Sequence, residues 1–359
     1  MCNYKNIDDG GVGGSAKRGS RCQSSTGQRP VDVNISLGQT ALESRVIVAP
    51  MAGVTDLPFR KIVRQFGNFL MFSEMVASQA VIRNVRRTHK MMDSADDDFT
   101  SVQIVGADPI VMAEAAKLSF SLGAKFIDIN MGCPVRKVVK SESGSALMKN
   151  EKLAAKIIES VVNAVPIPVT LKIRLGWDLE HKNAQAIAKI AKDLGIKMVS
   201  VHARTRSQLF SGSASWIDVL EVKQAVGIPI IVNGDIVNVK SAGAALCESE
   251  ADGVMVGRGV LGNPWLLRDI HNFLKTGVED TIQPTIGEKM KMAAMHLEYM
   301  FEFYDEQIAI KLARKVLMYY FRGLPNATKL KQKISQLNST AEAFVVLDWH
   351  LQQTEKALD

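Results

Sequence analysis

A chain of 359 residues has room for one large domain and a smaller second one. Its 47% hydrophobic and 23% charged residues are those of an ordinary globular protein, and no apolar run approaches the roughly 18 residues that cross a bilayer. Four scattered cysteines (Cys2, Cys22, Cys133, Cys247) without a CxxC pair argue against a disulfide framework or a zinc site and for a reducing, cytoplasmic compartment, while the net charge of +7 is a mild sign of a polyanionic partner.

Residues 1–32 are rich in Gly and Ser and nearly free of apolar side chains. Such a stretch cannot bury enough surface to offset its ordering entropy, so a disordered tail is predicted. From residue 45 a strand–helix rhythm begins, within a domain expected to span residues 33–280. Branched apolar runs fall at Val46–Val48, Phe69–Met75, Ser101–Val105, Phe126–Ile129, Val169–Ile173, Met198–Val201, Ile228–Val232 and Gly253–Val256. Segments of helical period lie between most of them, at Ile110–Leu122, Glu151–Val165, Asn183–Leu194 and Val239–Leu246. Eight such runs predict an α/β fold, the closed parallel (β/α)₈ or TIM barrel. A doubly wound open sheet is the competing arrangement. It usually carries a GxGxxG turn after its first strand, and here that place reads Ala49-Pro50-Met51-Ala52-Gly53. After a short polar linker, residues 285–359 keep helical periodicity, with breaks at Gly323-Leu324-Pro325 and near Asn338. They predict a small C-terminal all-helical domain.

Active sites of such barrels lie where the strands end, and strand side chains alternate between the interior and the helix layer. One parity here is polar on four neighbouring strands: Ser101 and Gln103; Asp128 and Asn130; Thr170, Lys172 and Arg174; Ser200, His202 and Arg204. One polar inward residue is unremarkable; four strands together describe a polar pocket. Lys172 stands out, because an ammonium inside a barrel is costly unless it meets an anion. The plainer reading is a lysine whose head reaches solvent at the mouth. Strand seven ends Asn233-Gly234-Asp235-Ile236 and strand eight ends Gly257-Arg258-Gly259, at the loops where barrels commonly hold phosphate. Tight turns alone also use glycine. Cys133 lies just past strand four in Asn130-Met131-Gly132-Cys133-Pro134. A lone cysteine is commonly a small buried hydrophobe. A thiol of ordinary pKa, near 8.5, can also donate a proton at neutral pH. A nucleophilic role needs a base, for which His202 is the nearest candidate.

These motifs, with Ala49 to Asp56, Ser73-Glu74-Met75, Gly144 to Leu147 and His202-Ala203-Arg204-Thr205-Arg206, resemble those of the tRNA-dihydrouridine synthases, most closely the bacterial B type. The resemblance covers about residues 35–340. It implies flavin mononucleotide (FMN) across the barrel mouth, with Pro50, Met51 and Ala52 under the ring system and Gln103 at its pyrimidine edge. Lys172 would stabilise the anionic reduced flavin, with His202 nearby. Asn233, Gly234, Asp235, Gly257 and Arg258 would hold the ribityl and phosphate groups. The implied reaction uses NADPH as reductant: a uridine of the tRNA D-loop receives hydride at C6 and a proton from Cys133 at C5. Asn130 and Arg204 would contact that substrate. The partner so implied is tRNA, through its D-arm, with no membrane, no metal and a monomeric chain. The chain departs from the family pattern where Val316 follows Arg314-Lys315 in place of His, where Met318 precedes Tyr319 in place of Trp, and at Ser143 in place of a smaller residue.

Between Glu306 and Glu342 there is no acidic residue, and Lys311, Arg314, Lys315, Arg322, Lys329, Lys331 and Lys333 all fall there. Lys311, Arg314, Lys315 and Arg322 share one helix face, which is expected to meet tRNA phosphates. A second acid-free stretch holds Arg83, Arg86, Arg87, His89 and Lys90. An isolated run of this kind is ordinarily a solvated face. Two rival readings remain. A small-molecule FMN reductase leaves the helical domain without a purpose, and a tRNA-binding protein without catalysis leaves Cys133 and Lys172 without one.

Overall fold

The computed structural model describes residues 34–82, 100–281, 283–324 and 327–355. The predicted tail and the basic residues from Arg83 to Lys90 lie outside the described residues. Eight strands form the barrel: β1 (Val46–Val48), β2 (Leu70–Phe72), β3 (Thr100–Val105), β4 (Phe126–Met131), β5 (Val169–Arg174), β6 (Val199–His202), β7 (Ile230–Asn233) and β8 (Gly253–Val256). Each pairs in parallel with the next, and β8 pairs with β1, so the ring closes.

The second predicted run, Phe69–Met75, is shorter than expected. β2 stops at Phe72, and a separate two-residue strand, Val76–Ala77, pairs with the end of β3. Side chains take over the ladder at the break. Ser73 Oγ accepts from Gln103 N at 3.1 Å and donates to Glu74 O at 3.0 Å, while the Glu74 carboxylate accepts from Gly53 N.

Strand residues of one parity face the helices and fill that layer with Val, Ile and Leu, among them Val102, Ile104, Ile127, Ile129, Leu171, Ile173, Val199 and Val201. The other parity fills the barrel itself, and it divides into two kinds. Ile47, Leu70, Phe72, Phe126, Met198, Ile231 and Met255 form an apolar cluster. The hairpin Ser36–Leu37/Thr40–Ala41 adds Ile35, Leu37 and Leu42 to this cluster. The rest of the interior is polar and comes from β3–β6, with Asn233 of β7. Register sets Gln103 beside Asp128, Asp128 beside Thr170, Asn130 beside Lys172, Lys172 beside Ser200, and Arg174 beside His202. A period of two along each strand thus becomes a polar block across four strands.

The helices start where sequence chemistry allows. Pro109–Ser121 begins at Asp108, whose carboxylate accepts from the N–H groups of Ile110 and Val111, with Pro109 at the first position. Helix Ile286–Phe303 opens with a reciprocal Thr285–Glu288 capping box. It packs with Glu306–Tyr320, Ala327–Ser335 and Thr340–Glu355 around a separate core that includes Leu297, Met300, Leu317, Leu330, Ile334 and Leu347. Trp265, from the last barrel helix, is buried in that same core and ties the two parts together. No helix among the described residues is long and apolar enough to cross a membrane.

Leu37 is fully buried in the interior cluster, whereas Leu179 is 65% exposed. Leu37→Ala is expected to cost about 2–5 kcal/mol in urea unfolding, and Leu179→Ala less than about 0.5 kcal/mol. Equal, small losses would mean that the hairpin does not plug the barrel.

Candidate active site

One cleft opens at the C-terminal ends of the strands, about 1090 Å³ counting the space open to solvent. Every residue expected around a cofactor lines it: Pro50, Met51, Ala52, Gln103, Lys172, His202, Asn233, Gly234, Asp235, Gly257 and Arg258. Cys133 and Asn130 line it too. Together they give the cleft an apolar edge from the loop after β1, a polar wall from β3–β6, and a glycine-rich end at β7 and β8.

Polar residues of the wall hold one another. Gln103 Nε2 donates to Asp128 Oδ2 at 2.6 Å, and Thr170 Oγ1 donates to Asp128 Oδ1 at 2.6 Å. Asn130 Nδ2 donates to Gln103 Oε1 at 2.8 Å, while Asn130 Oδ1 accepts from Cys133 N at 2.9 Å and Gly132 N at 3.2 Å. Lys172 Nζ donates to Asn233 Oδ1 at 3.2 Å, and Asn233 Nδ2 donates to Met255 O at 2.7 Å.

Burial pushes the Asp128 carboxyl up to about 6, against the two hydrogen bonds and the Lys172 charge, so it is ionised at neutral pH. Burial, with Arg174 next, lowers Lys172 to about 8 against the attraction of Asp128, so it is protonated at neutral pH. His202 is held well below the usual imidazole range, first by burial and then by Arg174, Lys172, Arg204 and Arg258. It is neutral. The cleft therefore carries cations ready for an anion, and its histidine keeps one acceptor nitrogen.

At the β7 end, Gly234 has φ +123°, and a Cβ there would meet Ala214 Cβ at 2.9 Å and His202 Cδ2 at 3.2 Å. Only glycine fits that position. At Gly257, which also lines the cleft, a Cβ would make only ordinary van der Waals contact with Ala49 Cβ at 3.7 Å and Met51 Sδ at 4.0 Å. The backbone N–H groups of Gly234, Asp235, Gly257 and Arg258 have no acceptor among the described residues. Donors of that kind, with the Arg258 guanidinium, suit a phosphate.

Several expected side chains are engaged differently from the sequence reading. The Asp235 carboxylate accepts from Arg204 Nη2 at 2.6 Å and Ala214 N at 2.8 Å and stands 3.5 Å from Arg258 Nη2. It orients cations instead of meeting a phosphate with like charge. Arg204, expected against the substrate, is 1% exposed and is not part of the cleft wall. Its guanidinium also donates to Ser211 O and Gly212 O, folding the 204–212 loop onto itself. Arg314 donates to Leu337 O, and Lys315 donates to Gly53 O at 3.0 Å, so both hold neighbouring segments together. Lys311 and Arg322 are exposed. The expected basic face is therefore split. Val316, at one departure from the family pattern, lines with Tyr319 a second, smaller cleft where the C-terminal helices meet the loop after β1. Ser143 is buried with its hydroxyl donating to Ser141 O, which satisfies the added polar group.

Two wall residues have no expected role. Arg174 donates to Gly132 O, Thr205 O and Leu209 O and so joins the Cys133 loop to the loop after β6. Phe210, 42% exposed, overhangs the cleft with its ring 5.5 Å from the Arg174 guanidinium and 5.6 Å from that of Arg258. A single Phe in a Ser- and Gly-rich loop carries no sequence signal.

The family described as "Dihydrouridine synthase (Dus)" matches residues 47–358. A "Probable tRNA-dihydrouridine synthase" of Rickettsia conorii (strain ATCC VR-613 / Malish 7) is 48% identical over 306 residues, covering 85% of this chain and 92% of that protein. A "tRNA-dihydrouridine synthase B" of Pseudomonas aeruginosa is 40% identical over 307 residues, covering 85% and 92%. Among solved structures, the histamine dehydrogenase from Rhizobium sp. 4-9 superposes with TM-score 0.53 at 14% identity, over 75% of this chain and 51% of that one. An old yellow enzyme homologue from Zymomonas mobilis gives 0.50 at 15%, over 71% and 97%. These two likenesses are of fold.

The Arg204 bonds predict a local effect. Arg204→Met should leave the barrel folded but speed chymotryptic cleavage after Leu209 or Phe210 by about tenfold, as the loop opens more often. Unchanged cleavage would mean that Arg204 does not hold the loop.

Proposed function

The chain belongs to the dihydrouridine synthase family, and from that premise we propose that its cleft holds FMN and reduces the C5–C6 double bond of a uridine in the D-arm of tRNA, with NADPH as reductant. The observation that carries this reading is one cleft uniting an apolar edge, a buried ammonium, a phosphate-suited end and a half-buried thiol. The donor set suits the group. Pro50, Met51 and Ala52 offer a surface for a planar ring, and Gln103 has one amide hydrogen and one lone pair left for a pyrimidine edge. Gly257, Arg258 and the Gly234–Asp235 backbone suit the phosphate. FMN, when bound, supplies the hydride that adds at uracil C6.

The remaining work falls to the chain. Lys172, protonated at neutral pH and lining the cleft, would hold the cofactor and offer a positive charge to it. Cys133 holds a proton for uracil C5; a carboxylic acid of ordinary pKa is already ionised at this pH. Asn130 and Ser145 fix the cysteine's backbone, through Cys133 N and Cys133 O respectively. Phe210 and Arg258 bound the outer part of the cleft, where an extruded base must enter, the general route when chemistry targets an atom inside folded nucleic acid. Residues 33–280 then serve as the catalytic domain and 285–359 as the tRNA-binding domain. Exposed Lys311 and Arg322 remain its candidate phosphate contacts; Arg314 and Lys315 serve to position it.

Cys133→Ala should retain FMN and its reduction by NADPH, while dihydrouridine formation falls by about 10²–10⁴-fold, the scale of a lost general acid. Full turnover would remove Cys133 as the proton donor. Lys311→Glu with Arg322→Glu should weaken tRNA binding and flatten the log–log salt dependence of affinity by about 1.4–1.8, two phosphate contacts' worth. Affinity and slope both unmoved would place the tRNA elsewhere.

A further inference from the structure

Asp128 is fully buried in β4 and is absent from the cleft lining. Apart from its attraction for Lys172, nothing described so far needs a carboxylate there. Its two oxygens accept from Thr170 Oγ1 and Gln103 Nε2, each at 2.6 Å. An ionised carboxylate only accepts, so Gln103 must turn its NH₂ toward Asp128. That turn leaves Gln103 Oε1 on the other side, where Asn130 Nδ2 donates at 2.8 Å. Asn130 in turn has only its oxygen left for the Gly132 and Cys133 N–H groups, at 3.2 and 2.9 Å. Backbone N–H groups only donate, so this far end demands the same direction. Two carboxamides, each free in principle to flip, are thus fixed from both ends.

We propose that Asp128 is a positioning residue that fixes the amide orientation of Gln103 and, through Asn130, the seating of the Cys133 loop. The roles of Gln103 at a flavin edge and of Cys133 as proton donor rest on the function proposed above; the hydrogen-bonded chain does not. In this arrangement one buried acceptor aligns the cofactor side and the proton-donor side of the cleft as a single unit. A carboxylate there is costly to bury, and the chain of donors it organises is what that cost maintains.

Asp128→Asn keeps the shape but removes the constraint, because a carboxamide accepts on one side and must donate on the other. If its oxygen faces Thr170, Gln103 must flip. If its oxygen faces Gln103, Thr170 must turn its hydroxyl to Ile127 O, 3.5 Å away. One direction becomes two. Thr170→Val is the control: it perturbs the same buried spot and leaves the Asp128–Gln103 bond in place.

Both variants, shown to be folded by thermal melting, would be tested in two ways. FMN affinity is measured by titrating apoprotein, and Cys133 alkylation by iodoacetamide in apoprotein is followed by peptide mass. Asp128→Asn is expected to weaken FMN binding by about tenfold or more, the scale of a hydrogen bond to a charged group, and to change the Cys133 alkylation rate several-fold. Thr170→Val should stay within about twofold on both. Equal effects from the two variants, or none from Asp128→Asn, would overturn the proposal. A change in FMN affinity alone would overturn the link to Cys133. If unaltered apoprotein does not bind FMN, the cofactor reading fails, and the alkylation comparison still decides the role of Asp128. Should Asp128→Asn not fold, deuterium exchange of the Gln103 side-chain amide in the unaltered protein decides instead. Slow exchange supports the lock, and exchange as fast as at exposed glutamines contradicts it.

Discussion

A closed ring of eight strands has an interior that must be filled, and here part of that filling is hydrogen-bonding side chains from β3–β6 in place of hydrocarbon. Each such group loses water on burial and needs a partner inside, which most of them find, although among the described residues Ser101 Oγ and Ser200 Oγ have none. Asp128, Gln103, Asn130, Thr170, Lys172 and Asn233 meet that demand with one another and with backbone. The apolar cluster of Ile47, Leu70, Phe72, Ile231 and Met255 occupies the rest of the barrel. Rigid hydrocarbon on one side and a locked polar wall on the other give the cleft side chains little freedom to wander. That is the preorganisation a reductase needs, because no energy is then spent on reorienting dipoles during the reaction.

Electrostatics follows from the same enclosure. Lys172, Arg174, Arg204 and Arg258 crowd one region, and burial first, then their joint field, holds His202 neutral. Asp235, in a left-handed conformation (φ 54°), is the counterweight that keeps Arg204 and Arg258 in place. The C-terminal helices reach the same region from outside. Lys315 binds Gly53 O, and Tyr304 Oη donates to Asp56, whose carboxylate also caps the helix Leu57–Arg64. Both contacts fall on the loop after β1, which also carries Pro50, Met51 and Ala52. The helical part is therefore joined to the segment that lies under the proposed flavin, in addition to its own hydrophobic core.

Much of this was legible in the sequence, for a physical reason. Parallel register sets alternate residues of neighbouring strands side by side, so a polar parity repeated on four strands can only converge, and it did at Gln103, Asp128, Lys172 and His202. Gly234 and Gly257 likewise fall at the cleft end to which the strand order assigned them. Arg204 shared that parity and misled, because it follows the last residue of β6 and its direction is set by loop closure onto Ser211 and Gly212. Lys315 and Arg314 read as a free basic face because helical period says which residues share a side and nothing about what covers it. Gly53 lies 262 positions from Lys315, and Leu337 belongs to a different turn. Phe210 and the break after Phe72 depend on contacts between separate loops, which leave no periodic trace. The division of work between the polar amides was equally hidden, since it follows from which groups can only donate and which can only accept once they touch.

The central claim is that this cleft makes dihydrouridine in tRNA. The most direct measurement incubates purified protein, FMN and NADPH with tRNA lacking modifications, digests the RNA, and weighs its nucleosides and fragments. A two-hydrogen gain on a uridine of the D-arm, absent when NADPH is left out, is the predicted result. NADPH consumed by bound FMN with every uridine unchanged would contradict the account and leave a flavin reductase whose substrate is some other molecule.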